Sequence, residues 1–226
     1  MKKLFILSIA TASLIFVSAQ QEKIYKSVKI GTHEWMSENL DVTTYSNGDP
    51  IPEVQSPKEW KRLKTGAWCY YENKTENGTI YGKLYNWYAV SDPRGLAPKG
   101  WHIPSREEGQ ELTVEVNGRM TPGVGTKLKS KTGWKDLVSK GKTTVGSGTD
   151  TYGFNGLPAG FINETGGFRT ISESALWWTA TEKQRDFTSF AISLSAYNDV
   201  AAVDPSLQNR GYSVRCIKGD ATNDKK

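Results

Sequence analysis

The stretch ALWWTATEKQRDFTSFAISLSAYN, residues 175 to 198, most limits what this chain can fold into. Apolar and polar residues alternate with period two across ALWWTATE (175 to 182) and FTSFAISLSAYN (187 to 198), which predicts two strands. GYSVRCIKG (211 to 219) predicts a third. Helical periodicity is scarce elsewhere. The fold class expected is α+β, with small twisted antiparallel sheets, one or two short helices and long ordered loops.

Shorter signals fill in this frame. Ile24, Val28 and Ile30 alternate up to a turn at Gly31, and the two-strand reading carries through Trp35. SPKEWKRLK has an N-cap Ser56, Pro57 at the first helical position and Glu59 three residues after the cap, so it predicts a short helix. GAWCYYENKTENGTIYGKLYNWYAV, residues 66 to 90, sets two aromatic runs around a polar segment. It reads as a hairpin or long loop between strands, with LYNWYAV turning helical, and its aromatics predict an aromatic core. In APKGWHIPSREEGQEL, Ser105 and Glu108 are spaced as a capping box and Ile103 as a staple, so a helix begins at REEGQELTVEV. Gly109 inside that helix costs about 1 kcal/mol, which implies a close neighbour. His102 is expected in the core. From Gly118 to Gly167 the chain predicts a long ordered loop region anchored by Tyr152, Phe154 and Phe161.

The first residues, MKKLFILSIATASLIFVSAQQ, form a positively charged start, an apolar run and a small-residue cleavage site. They read as a secretory signal peptide over 1–19, followed by a lead-in over 20–28, one domain over 29–219 and a polar tail over 220–226. The apolar run is too short for a membrane span, so the mature chain is expected to be secreted or held at the outer cell surface with no transmembrane segment. The formal charge of +5 falls to +3 without Lys2 and Lys3. The lysines from Lys127 to Lys142 read as a solvated face. They lack the aromatic interleaving of single-strand binders, which argues against nucleic acid. In an exported chain Cys69 and Cys216 read first as a disulfide; the alternative is two buried thiols, since both lie in core-like strands.

Seven blocks taken in order carry a resemblance: IGTHEWMSENLDVTTYSNGDPIP, CYYEN with YGKLYNWYAV, APKGWHIPSREE, KLKSKTGW, GFNGLPAGF, WWTATE and GYSVRCIKG. Together they resemble the Fibrobacter succinogenes major paralogous domain over nearly the whole mature chain. The resemblance implies an exported, often cell-surface bacterial domain of Bacteroidetes and Fibrobacter lineages, similar in architecture to the C-type lectin-like fold. Two departures matter. Gly109 stands where the family usually has Trp, and the calcium-binding triplets of calcium-dependent lectins are missing, so calcium-mediated sugar binding is not implied.

In a lectin-like fold the loops around the Trp177-Trp178 strand would form one face. Neighbours on a strand point to opposite sides, so one of these tryptophans leaves the core side; the alternative is that both are buried between layers. The reading assigns Trp178 to the exposed face. Glu182, Asn198, Asp199, Asn209 and Arg210 join it as candidate ligand-binding residues, chosen for strand-end position and polarity. An exposed Trp with polar neighbours suits a glycan or a surface protein. The alternatives are a structural subunit of an envelope or adhesion assembly and, behind it, a secreted glycoside hydrolase. No Gly-x-Ser-x-Gly elbow or phosphate loop occurs, so neither catalysis nor a cofactor is expected. A metal among the acids of the long loop region is left open by spacing.

Overall fold

In the computed structural model, which describes residues 23–117, 123–183 and 187–220, local signals and elements largely coincide. Gly31, at φ +60°, turns β1 (Ser27–Ile30) back onto β2 (His33–Met36). The Ser56 hydroxyl accepts from the Glu59 N–H at 3.3 Å and opens α1 (Pro57–Trp60). β3 (Trp68–Cys69) leads through a 3-10 turn at Tyr71–Asn73 into α2 (Thr75–Tyr81), then β4 (Leu84–Asn86) and α3 (Trp87–Val90). β5 (Trp101–His102) precedes α4 (Arg106–Asn117). The capping box there closes both ways: the Glu108 N–H donates to Ser105 Oγ at 3.1 Å and the Ser105 N–H to Glu108 Oε2 at 2.7 Å. After α5 (Val124–Leu128) come two hairpins, β6 (Leu137–Ser139) with β7 (Lys142–Thr144) and β8 (Phe161–Ile162) with β9 (Phe168–Arg169). The C-terminal part supplies β10 (Ser174–Lys183), β11 (Thr188–Ser195), β12 (Ala201–Leu207), β13 (Gly211–Tyr212) and β14 (Ile217–Lys218).

Every strand pairing among the described residues is antiparallel, in sheets ordered β1-β2-β14-β5, β3-β4-β13-β8-β9, β10-β11-β12 and β6-β7. Small antiparallel sheets with few helices make the class α+β. Ile217 of β14 stands opposite both Trp35 and His102, which ties the late segment to the early one. α4 lies close over β11. A Cβ on Gly109 would sit 3.1 Å from Ile192 Cγ1, the close neighbour that a glycine inside a helix implied.

The three-stranded sheet is the centre of the molecule because it is covered on both faces. Trp177 joins a core with Trp35, Phe154, Ile192 and Val203, whereas Trp178 joins one with Met36, Tyr85, Ala191 and Tyr212. Strand alternation does send the two rings apart, but the side away from one core is a second core. Trp178 is therefore fully buried, and its assignment to an exposed face is corrected.

Other expectations also change. Cys69 and Cys216 are free thiols rather than a disulfide. Cys69 is buried among Trp60, Tyr71 and Ile162, and Cys216 in the separate core around Met36 and Tyr212. The polar segment after Tyr71 is a helix, α2, not a loop. Its Gly78 lies so close to the Tyr70 ring that a side chain there would overlap it. The long loop region contains α5 and the β6–β7 hairpin, and its lysines are not all solvated. Lys129 is buried and donates to the Ser195 and Asn198 carbonyls at 3.1 and 3.2 Å. β12 accommodates Pro205 because it is an edge strand and its outer N–H groups need no partner. The signal segment 1–19, Gln184 to Asp186 and the end of the tail lie outside the described residues.

Candidate functional site

The three-stranded sheet has two ends, and the candidate residues divide between them. Leu194 pairs with Ala201, so Asn198 and Asp199 occupy the β11–β12 turn. Thr188 pairs with Leu207, which puts Glu182, Asn209 and Arg210 at the opposite end, about 24 Å away at ~3.4 Å per residue. Asn198 and Asp199 serve the fold there. The Asn198 side-chain oxygen accepts from the Val200 N–H at 3.1 Å, and the Asp199 carbonyl accepts from the Gly125 N–H at 2.6 Å. The six candidates do not share one face.

The end holding Glu182, Asn209 and Arg210 carries an aromatic that sequence reasoning passed over. Phe187 is 75% exposed and takes φ +50°, a backbone region that a bulky residue rarely adopts. The Lys64 ammonium lies 5.5 Å from its ring centre and 5.9 Å from that of half-buried Tyr88. Cation–π contacts of this reach hold the two rings and the lysine as a group.

The polar residues around this group are preset by bonds to one another. Gln208 Nε2 donates to Glu182 Oε1 at 3.0 Å and to Ser189 Oγ at 3.2 Å, and the Gln208 N–H donates to the Phe187 carbonyl at 3.0 Å. Arg210 Nε donates to Glu164 Oε2 at 2.9 Å, and Asn209 Nδ2 donates to the Glu164 carbonyl at 3.3 Å. The Glu164 backbone N–H and then Arg210 hold that carboxyl below its usual range. Helix α1 docks on the same end through Trp60, whose indole N–H donates to the Asn209 carbonyl at 2.9 Å. Beside it lies an open cleft of about 320 Å³ lined by Ser56, Lys58, Glu59, Arg62 and Leu63.

The Trp-His corner is structural. His102 Nδ1 meets the Gly219 carbonyl at 2.8 Å and Nε2 meets Glu108 Oε1 at 2.9 Å, so both ring nitrogens are engaged. The Glu108 bond raises His102 above its ordinary value. His33 meets Glu111 at 2.8 Å beside a second cleft of about 230 Å³ between the β1–β2 turn and α4. Burial pushes both cysteine thiols up, away from the thiolate range. Among the described residues no three His, Cys, Asp or Glu side chains are grouped to hold a metal ion, and no helix is long and apolar enough to cross a membrane.

Neither the curated proteins nor the solved structures include a match to this chain. A family profile does match, over residues 28–218, a span that contains every sheet and helix described above except the first residue of β1. The chain belongs to the Fibrobacter succinogenes major domain family.

Proposed function

We propose that this chain is an exported recognition domain with a C-type lectin-like arrangement, and that it binds a glycan at the sheet end carrying Phe187. The observation that carries this reading is a large, exposed aromatic held in a left-handed backbone conformation beside Tyr88 and Lys64. Bulky residues in that conformation cost about 1 to 3 kcal/mol and cluster at functional sites. A flat ring offers a sugar an apolar platform, while Glu182, Asn209 and Arg210 offer acceptors and donors at its margin. The hydrophobic leader favours export, and the helix after the Pro-Ser step, the long connecting region and the Trp-rich hairpin favour the lectin-like arrangement.

Catalysis is not part of the reading. Both His102 nitrogens are bonded, His33 is held by Glu111, and the thiols are buried. The test is a glycan array probed with the mature protein, with Phe187→Ala, and with Tyr197→Ala as the control. Tyr197 is also exposed but follows β11 at the other end of the sheet. Signal that survives Tyr197→Ala and drops at least tenfold with Phe187→Ala supports the reading. An array silent to all three proteins, or one indifferent to Phe187, overturns it.

A further inference from the structure

Helix α1 and the turn that follows it carry a row of cations beside the Phe187 platform. Lys58, Lys61, Arg62 and Lys64 are all exposed, and none forms an ion pair among the described residues. Their placement follows from how the helix docks. Trp60 is buried and bonded to Asn209, a Cβ on Gly211 would come within 2.8 Å of the Trp60 ring, and Gly166 lies against the Pro57 backbone. With Trp60 turned in, Lys58, Lys61 and Arg62 share the outer face at three- and four-residue spacing. Lys58 and Arg62 line the 320 Å³ cleft together with Leu63, and Lys64 reaches the Phe187 and Tyr88 rings.

Carboxylates nearby do not cancel this charge. Glu59 lines the same cleft and Glu182 stands exposed, while Glu164 is already paired with Arg210. Among the described residues, four cations without an ion pair against two such carboxylates leave an excess of positive charge along a path from the cleft to the aromatic platform. A neutral sugar would gain nothing from that excess. An acidic one would gain Coulomb attraction that salt screens within about 10 Å at 0.1 M.

We propose that the glycan taken at this end is an anionic polysaccharide, its rings on Phe187 and Tyr88 and its carboxylate or sulfate groups on Lys58, Arg62 and Lys64. The proposal rests on the glycan-recognition reading above and narrows its ligand. It is tested by affinity electrophoresis of the mature protein in gels containing polygalacturonate or its methyl ester, and dextran sulfate or plain dextran. The two pairs separate carboxylate from sulfate as the source of charge. The expected result is retardation by at least one anionic polymer, at least tenfold weaker binding to its neutral counterpart, and weakening as salt rises. Lys58→Ala/Arg62→Ala should lose about tenfold in affinity for the anionic polymer, with an unchanged near-ultraviolet circular dichroism spectrum showing that the fold is kept. Equal binding of charged and neutral polymers through Phe187 overturns this inference alone. Binding of no polymer also overturns this inference, while the recognition reading stands or falls separately on the glycan array.

Discussion

Trp177 and Trp178 are neighbours in sequence and lie in different cores. The Trp177 indole N–H donates to Asn39 Oδ1 at 2.8 Å, and the Trp178 indole N–H donates to the Tyr85 carbonyl at 2.9 Å. The Trp178 ring lies 4.4 Å from that of Tyr212, and the Trp177 ring meets Phe154 edge-on at 5.4 Å. Each tryptophan thus fills space and satisfies a buried acceptor. Trp177→Ala and Trp178→Ala should each lower unfolding free energy by about 3 to 5 kcal/mol, read from denaturant titration. A loss below ~1 kcal/mol for either would contradict its place in the core.

His102 and Glu108 give stability a pH dependence. The Glu108 bond raises His102 above 6.5, against the effect of burial. Burial would raise Glu108, but the His102 and Ser105 bonds outweigh it and leave the carboxyl below 4.5. A raised histidine contributes fully below its unfolded value, and that contribution fades as pH climbs through the folded value. A lowered carboxyl contributes above its unfolded value and loses this as pH falls through the folded one. The pair is therefore strongest between about pH 4.5 and 6.5. The urea midpoint should fall from pH 6 to pH 8, and His102→Gln should flatten that fall. An unchanged slope in the variant would place its origin elsewhere.

The free cysteines predict thiol chemistry that is silent until the chain unfolds. Both are buried in separate cores, so a thiol reagent should label none in the folded protein and two per chain in denaturant. Reductant should not move the unfolding midpoint. Absence of thiols in denaturant would restore the disulfide.

Phe187 should be dispensable for stability. Its side chain is exposed and its φ of +50° favours glycine. Phe187→Gly should leave the melting temperature unchanged or raise stability by about 1 kcal/mol, while removing the aromatic platform. A loss of more than ~1 kcal/mol would make Phe187 a structural residue.

Local signals were legible where neighbours in sequence decide the structure. Ser105 with Glu108, Ser56 with Pro57 and the turn at Gly31 all act within a few residues, and each element formed where they stand. What escaped was set by distant neighbours. Period two at Trp177-Trp178 shows that the rings diverge, but it cannot show that both sides of the sheet are covered. The polar segment around Asn77-Gly78 read as a hairpin or long loop, yet its glycine serves the seating of α2 on Tyr70. The same limit divided the candidate site. Strand-end position identified Glu182, Asn209 and Arg210, but only the register of β10, β11 and β12 separates them from Asn198 and Asp199.

Amide hydrogen exchange of the mature protein, with and without a saturating glycan from the array, tests the placement of recognition most directly. Slowed exchange in segments 58–64, 187–190 and 207–210, with the Asn198-Asp199 turn unchanged, is the predicted result. Slowing confined to that turn, or to the cleft between Gly31 and Glu111, would contradict it.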